Sequence, residues 1–194
     1  MNNRKSAVFN LTRCGILSAI AIVLFFIEIP VVAFYKLDFS TLPAILAGFA
    51  MGPIQGIVVI VIKNLIHMLN THTACVGELA DIIMSCAYVV PASIIYRRAK
   101  TRKNALVSML AGTAAMIFAA VLVNYFILIP AYKVLMGLTE EIIVGMGSAV
   151  WSYIDSLPKL VIFITAPFNV LKGIALSAVT YLLYKRVSPL LHNA

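Results

Sequence analysis

The sequence predicts an all-α integral membrane protein, a bundle of about six transmembrane helices with both termini in the cytoplasm. Three observations predict it. Of 194 residues, 62% are hydrophobic and 11% charged, which leaves too few charges to coat a soluble domain. Several apolar runs are long enough to cross a bilayer, at about 20 residues each. The basic residues gather at three places between those runs, and such clusters mark cytoplasmic loops.

The opening run, MNNRKSAVFNLTRCGILSAIAIVLFF, begins like a secretory signal. It continues past Ala33 without a small-residue cleavage site, so it reads as a first span over 11–34. Segment 43–69 is cut by Gly52-Pro53 into pieces of about 9 and about 16 residues, which fit two short crossings or a re-entrant hairpin. Asp38 to Pro43 reads as a helix start, with Ser40 as a cap ahead of Pro43, or as a purely structural turn. Further spans are expected over 76–96, 105–130 and 160–184. The connection 131–159, with Trp151 and Tyr153, has room for a short interfacial helix. No repeat or composition shift divides the chain, so residues 1–194 read as one membrane domain. Cys14, Cys75 and Cys86 lack the spacing of a disulfide framework and read as small core residues.

Charge sets the expected orientation. Arg4, Lys5 and Arg13 precede the first span, Arg97, Arg98, Lys100, Arg102 and Lys103 fill one loop, and Lys185 and Arg186 follow the last span. These include every arginine, and the positive-inside rule puts all three places in the cytoplasm. Glu28, Asp38, Glu78, Asp81, Glu140, Glu141 and Asp155 then all fall in the outer half or in outer loops. The net charge of +8 is a topology signal on this map, not a nucleic-acid footprint.

Ionisable residues inside spans are costly and face a bundle interior or a watery cavity. Here they share one depth and pair at helical spacing: Lys63 and Asn64 with His67, Glu78 with Asp81, and Asn169 with Lys172, while Asn124 stands at the same level. Four short polar faces at one depth point to one outward-facing pocket. The competing reading is internal glue, for example Lys172 paired with Glu78. His67, His72, Cys75 and Glu78 could also be taken for metal ligands, but their spacing matches no standard site. The chain carries no Gly-x-Ser-x-Gly, His-Glu-x-x-His or Walker motif, so no catalytic residue is assigned. Any active transport must therefore be powered by a partner or an ion gradient. A membrane-embedded enzyme using Glu78, Asp81 and His67 as acid or base groups is the rival from another class.

The stretches YKLDFSTLPAILAGFAMGPIQG, IKNLIHMLNTHTACVGELAD, NYFILIPAY and SLPKLVIFITAPFNVLKG, in that order, resemble the substrate-binding S-components of energy-coupling factor (ECF) vitamin transporters. The resemblance covers nearly the whole chain. KNLIH with GELA and PFNVLKG narrows it to the riboflavin-binding branch, with an S-component for another small vitamin as the alternative. Cys75 stands where a glycine is more usual, and Asp81 where asparagine is expected.

The resemblance implies a six-helix subunit of the cell membrane, without enzymatic activity or cofactor. It would capture riboflavin on the outer side and deliver it with a transmembrane coupling subunit and two cytoplasmic ATPases. It makes Asn124, Asn169 and Lys172 the expected ring-edge contacts, with Glu78 on the ligand's polar atoms. Asp81, Lys63, Asn64 and His67 follow as direct or supporting groups, and VVAFYKLDFS would close over the site, bringing Leu37 and Asp38 to the ligand. An amide donates and accepts, a lysine donates and a carboxylate accepts, which suits a heterocycle edge and a hydroxylated chain. Gly15 and Ala19 form a small-xxx-small face on the first span, where the resemblance puts the coupling subunit.

Overall fold

The computed structural model describes residues 2–32 and 35–192, with side chains over 8–31 and 35–183. The side chains of Arg4, Lys5, Lys185 and Arg186, and residues 33–34 at the end of the expected first span, lie outside the described residues.

Helix α1 (Asn2–Phe25) ends well short of the expected span. The apolar run continues not as helix but as an antiparallel hairpin, β1 (Ile29–Val32) and β2 (Tyr35–Leu37), with Ile29 opposite Leu37 and Pro30 opposite Lys36. Pro30 and the β-branched Ile29, Val31 and Val32 favour extended backbone, which hydropathy alone does not register.

Segment 43–69 resolves into α2 (Thr41–Ala50) and α3 (Pro53–His67), with a 3₁₀ turn at Met68–Asn70. Only the second of these pieces is long and apolar enough to cross a membrane, over Pro53–Asn70. Helix α2 is a short core helix, buried on nearly every side. Gly52 breaks the two helices at φ 130°, a conformation that a side chain would strain, and a Cβ there would strike Arg97. Ser40 does hold the N-cap position of α2, but its side chain makes no cap bond to the backbone.

Helix α4 (Val76–Arg98) and α5 (Arg102–Val123) form a long antiparallel pair. Asn104 secures their turn by donating to the carbonyls of Ile95 and Ala99 at 2.6 and 2.8 Å. Helix α5 runs through a π-helical turn, Asn124–Leu128, into α6 (Ile129–Met136), past the expected end at residue 130. The connection that follows does hold a short helix, α7 (Glu140–Ser148), capped by Thr139. Helix α8 (Leu157–Leu160) likewise passes through a π turn, Val161–Thr165, into α9 (Ala166–His192).

Each π turn ends two residues before a proline. Pro130 and Pro167 have no N–H to give to the residue four back, so the ladder widens to Ile129→Asn124 and Ala166→Val161 bonds. The two turns touch each other.

Five helical stretches among the described residues are long and apolar enough to span a membrane, and α2 adds a shorter sixth. Leu11, Val23, Phe118, Phe126 and Leu182 are each more than half exposed, an apolar outer surface suited to lipid. Inside, one apolar cluster joins α2, α3, α4 and α5, and a second joins the hairpin, both π turns, α7 and α9. Buried charged and amide residues include Asp38, Lys63, Asn64, Glu78, Asp81, Asn124, Asn169 and Lys172.

Candidate functional site

A cavity opens at the end of α4 opposite Arg97. It is bounded by the hairpin, the ends of α1 and α3, the start of α4, the proline-kinked end of α5 with α6, and α9. Asp38, His67, Glu78, Asp81, Asn124, Asn169 and Lys172 all line it, so seven of the expected residues converge although they come from five separate segments, the loop after β2, α3, α4, the first π turn and α9. Gly15 and Ala19 lie far from it on an exposed face of α1. Lys63 and Asn64 stand behind the wall: both are fully buried, and both reach Asp81, at 2.8 Å and 3.0 Å. Leu37 packs into the second apolar cluster, while its neighbours Lys36 and Asp38 face the cavity.

The floor is ionic. Lys172 Nζ lies 2.9 Å from Asp38 and 3.6 Å from Asp81, and Lys63 bridges Asp81 to the Ser40 hydroxyl at 2.5 Å. The Ser40 backbone N–H and hydroxyl both donate to Asp38. Two carboxylates and two ammoniums thus balance in a buried cluster, and Ser85 adds a bond to Asp81 at 3.3 Å. Burial alone would raise the pKa of Asp38, but Lys172 and then Lys63 outweigh it and hold the carboxyl below its ordinary 3.8. The Lys172–Glu78 pair offered as an example of internal glue does not form. The loop carrying Asp38 reaches Lys172 instead.

Glu78 has different company. It takes His67 Nδ1 at 2.9 Å and the hydroxyls of Thr71 and Thr73 at 3.0 Å each. Gly77 makes this possible, since its N–H donates to Thr73 at 3.1 Å and a Cβ there would press on the same hydroxyl. Ala74 and Cys75 take left-handed φ of 50° and 65° as the loop turns into α4. That backbone region favours glycine, which explains why Cys75 is the unusual residue at its position.

The walls were only partly foreseen. The Tyr35 hydroxyl donates to Asn124 Oδ1 at 2.9 Å and bonds Thr165, so one hairpin side chain ties both π turns. Burial pushes this phenol well above its ordinary range, which keeps it neutral. The Asn124 and Asn169 amides donate to the helix carbonyls of Ala120 and Thr165, leaving the asparagines fixed by their own helices at the cavity wall. Phe25, Tyr132 and Phe168 supply aromatic surface, with Phe168 stacked on Tyr35 at 5.0 Å. Aromatic residues in an apolar sequence carry no separate signal. Pro130 and Pro167 did carry one, because a proline inside a helical run marks a kink.

A cavity in a bundle of membrane-spanning helices, lined by aromatic rings, amides and buried charges, fits a membrane-embedded protein that binds a small molecule. Residues 9–184 match the family described as ECF transporter, substrate-specific component. The chain belongs to this family of ECF S-components and is a multi-pass cell-membrane protein of a transport family, not of an enzyme family. It is 32% identical over 177 residues to the riboflavin transporter RibU of Staphylococcus aureus, covering 90% of this chain and 87% of the relative. It is 30% identical to the riboflavin transporter FmnP of Bacillus subtilis, covering 90% of each chain. A solved structure of the S component of a bacterial ECF transporter superposes with a TM-score of 0.73 at 32% identity, covering 94% of this chain and 97% of the other.

Proposed function

We propose that this chain captures riboflavin in the cavity and supports its uptake as the substrate-specific subunit of an ECF transporter. The observation that carries the reading is the convergence of Asn124, Asn169, Lys172 and Glu78 on one cavity with aromatic walls. Asparagine amides suit a ring edge that alternates donors and acceptors, lysine suits its carbonyl oxygens, and the carboxylates suit ribityl hydroxyls. Asp38 and Asp81 contribute acceptors from the floor. Lys63 and Asn64 act through Asp81, and His67 through Glu78. Leu37 supplies apolar backing beneath the hairpin. The names of the two relatives support riboflavin over another vitamin.

The whole chain, 1–194, works as one membrane domain with both termini and the loop 97–103 in the cytoplasm, and the cavity opens outward. The energy comes from a transmembrane coupling subunit and two cytoplasmic ATPases. Gly15 and Ala19 suit the coupling face: both are exposed, and nothing lies within 4 Å of where a Gly15 side chain would begin. Helices approach closely across such small residues.

Protein extracted gently and purified is expected to be yellow and to show flavin absorption, or to bind added riboflavin stoichiometrically. A colourless protein that binds no added riboflavin would sink the reading. Retention of another vitamin would redirect it.

A further inference from the structure

His67 stands at the junction of three elements. Its ring stacks on Phe25 at 4.0 Å and leans on Phe26 at 5.2 Å, at the end of α1 and just after it. Nδ1 lies 2.9 Å from Glu78 on α4, and Nε2 lies 4.0 Å from Glu28 on the segment leading into β1. The other Glu28 oxygen takes Lys36 of β2 at 2.5 Å. One line of contacts, Lys36–Glu28–His67–Glu78, thus runs from the hairpin to the helix that carries the ligand-facing carboxylate, and all four residues line the cavity.

A neutral imidazole has one N–H and one lone pair, so it serves one of these carboxylates and turns a lone pair to the other. An imidazolium has two N–H groups and serves both. Among the described residues, no other cation forms an ion pair that bridges Glu28 and Glu78. The end of α1 contributes the ring of Phe25, and Phe26 just after it contributes the second ring. On α3 itself, Lys63 sits over Phe25 at 4.4 Å and is committed to Asp81. The loop before α4 contributes Thr71 and Thr73, both spent on Glu78, and His72 along the cavity lining. The hairpin contributes Lys36, which lies on the far oxygen of Glu28.

We propose that His67 is a positioning residue whose protonation fastens the hairpin across the cavity and fixes Glu78 toward the ligand, so that riboflavin is held more tightly at mildly acidic pH than at alkaline pH. The inference rests on the riboflavin reading above. Imidazole is the side chain that changes charge between about pH 5 and about pH 8. Riboflavin is itself uncharged at neutral pH, so a slope near neutrality belongs to the protein.

The test titrates riboflavin into the ligand-free full chain in lipid nanodiscs between about pH 5.5 and about pH 8. It compares the native protein with His67→Gln, which keeps one donor for Glu78 but cannot take a second proton, and with Glu28→Gln, which keeps His67 but removes its hairpin partner. The native protein is expected to lose affinity several-fold toward the alkaline end, mainly through faster dissociation, and both variants to give flat profiles. A flat native profile, or a Glu28→Gln profile as steep as the native one, overturns the proposal. If riboflavin binds at no pH, the riboflavin reading falls, and the clasp is judged on ligand-free protein. There the melting temperature of the native chain should exceed that of Glu28→Gln by more at the acidic end than at the alkaline end, and equal differences would overturn it.

Discussion

The floor and the rim of the cavity both set carboxylates against nitrogen cations, yet they are built for different tasks. On the floor, Lys63 is fully buried and the Asp38, Asp81 and Lys172 side chains are about nine-tenths buried, with two positive and two negative charges. The Lys172 and Lys63 ammoniums keep Asp38 ionised, so its contribution to stability is fully present above its ordinary pKa of 3.8 and is lost only as pH falls through the lower folded value. At the rim, Glu28 and Lys36 are 24% and 49% exposed, and the balance of charge depends on an imidazole. The floor is a permanent part of the fold that also faces the cavity. The rim is a conditional fastening.

The largest effect that could break this comparison is at Asp81. Asp81→Ala leaves Lys63 and half of the Lys172 pairing uncompensated in a buried site, and is expected to lower stability by about 3–5 kcal/mol. Glu28→Ala at the rim is expected to cost no more than about 1 kcal/mol. Thermal unfolding of both in the same detergent compares them, and equal losses would mean that floor and rim do not differ in kind.

Next in size is the separation of ligand contact from glue along α9. Asn169 bonds within its own helix, whereas Lys172 holds Asp38 and Asp81. Asn169→Ala is therefore expected to weaken riboflavin binding by about 1–3 kcal/mol, the usual loss when a buried polar group loses its partner. That corresponds to about one to two decades in Kd. The ligand-free protein should melt close to the native temperature. Lys172→Ala should lose both affinity and stability. Calorimetry with melting curves on the two variants sharpens the division, and a stability loss as large at Asn169 as at Lys172 would erase it.

The smallest expected effect lies between floor and rim. Tyr35→Phe keeps the stacking on Phe168 but removes the hydroxyl shared by Asn124 and Thr165, and should cost the ligand-free protein about 1 kcal/mol. Unchanged melting would show that the π turns hold their places without the hairpin.

Much of this site was legible because polarity stands out in an apolar chain. Lys63, Asp81, Asn124, Asn169 and Lys172 could be assigned to one depth by counting along helices, and the last four line one cavity with Lys63 behind Asp81. What the sequence withheld is which of them pair. Lys172 and Asp38 are 134 residues apart, and the hairpin that brings Asp38 inward was concealed in a run whose hydropathy continues unbroken from α1. Tyr35 was missed because an aromatic ring among Val, Ala and Phe looks like any core residue until its hydroxyl is seen between two helices. The lengths of α2 and α3 were legible, because Gly52-Pro53 cuts the run into pieces of about 9 and about 16 residues and the helices hold 10 and 15.

The two π turns have one more consequence, which concerns phase. A π turn contains one residue more than an α turn, and in an α-helix each residue advances the face by about 100°. Everything beyond Asn124–Leu128 on one helix, and on the N-terminal side of Val161–Thr165 on the other, is therefore rotated by about that angle from where unbroken counting would put it. Tyr132, beyond the first π turn, lines the cavity, and Leu160, before the second, packs in the second apolar cluster. The cap of the bundle is in effect dialled one step against its base, and Pro130 and Pro167 hold the dial.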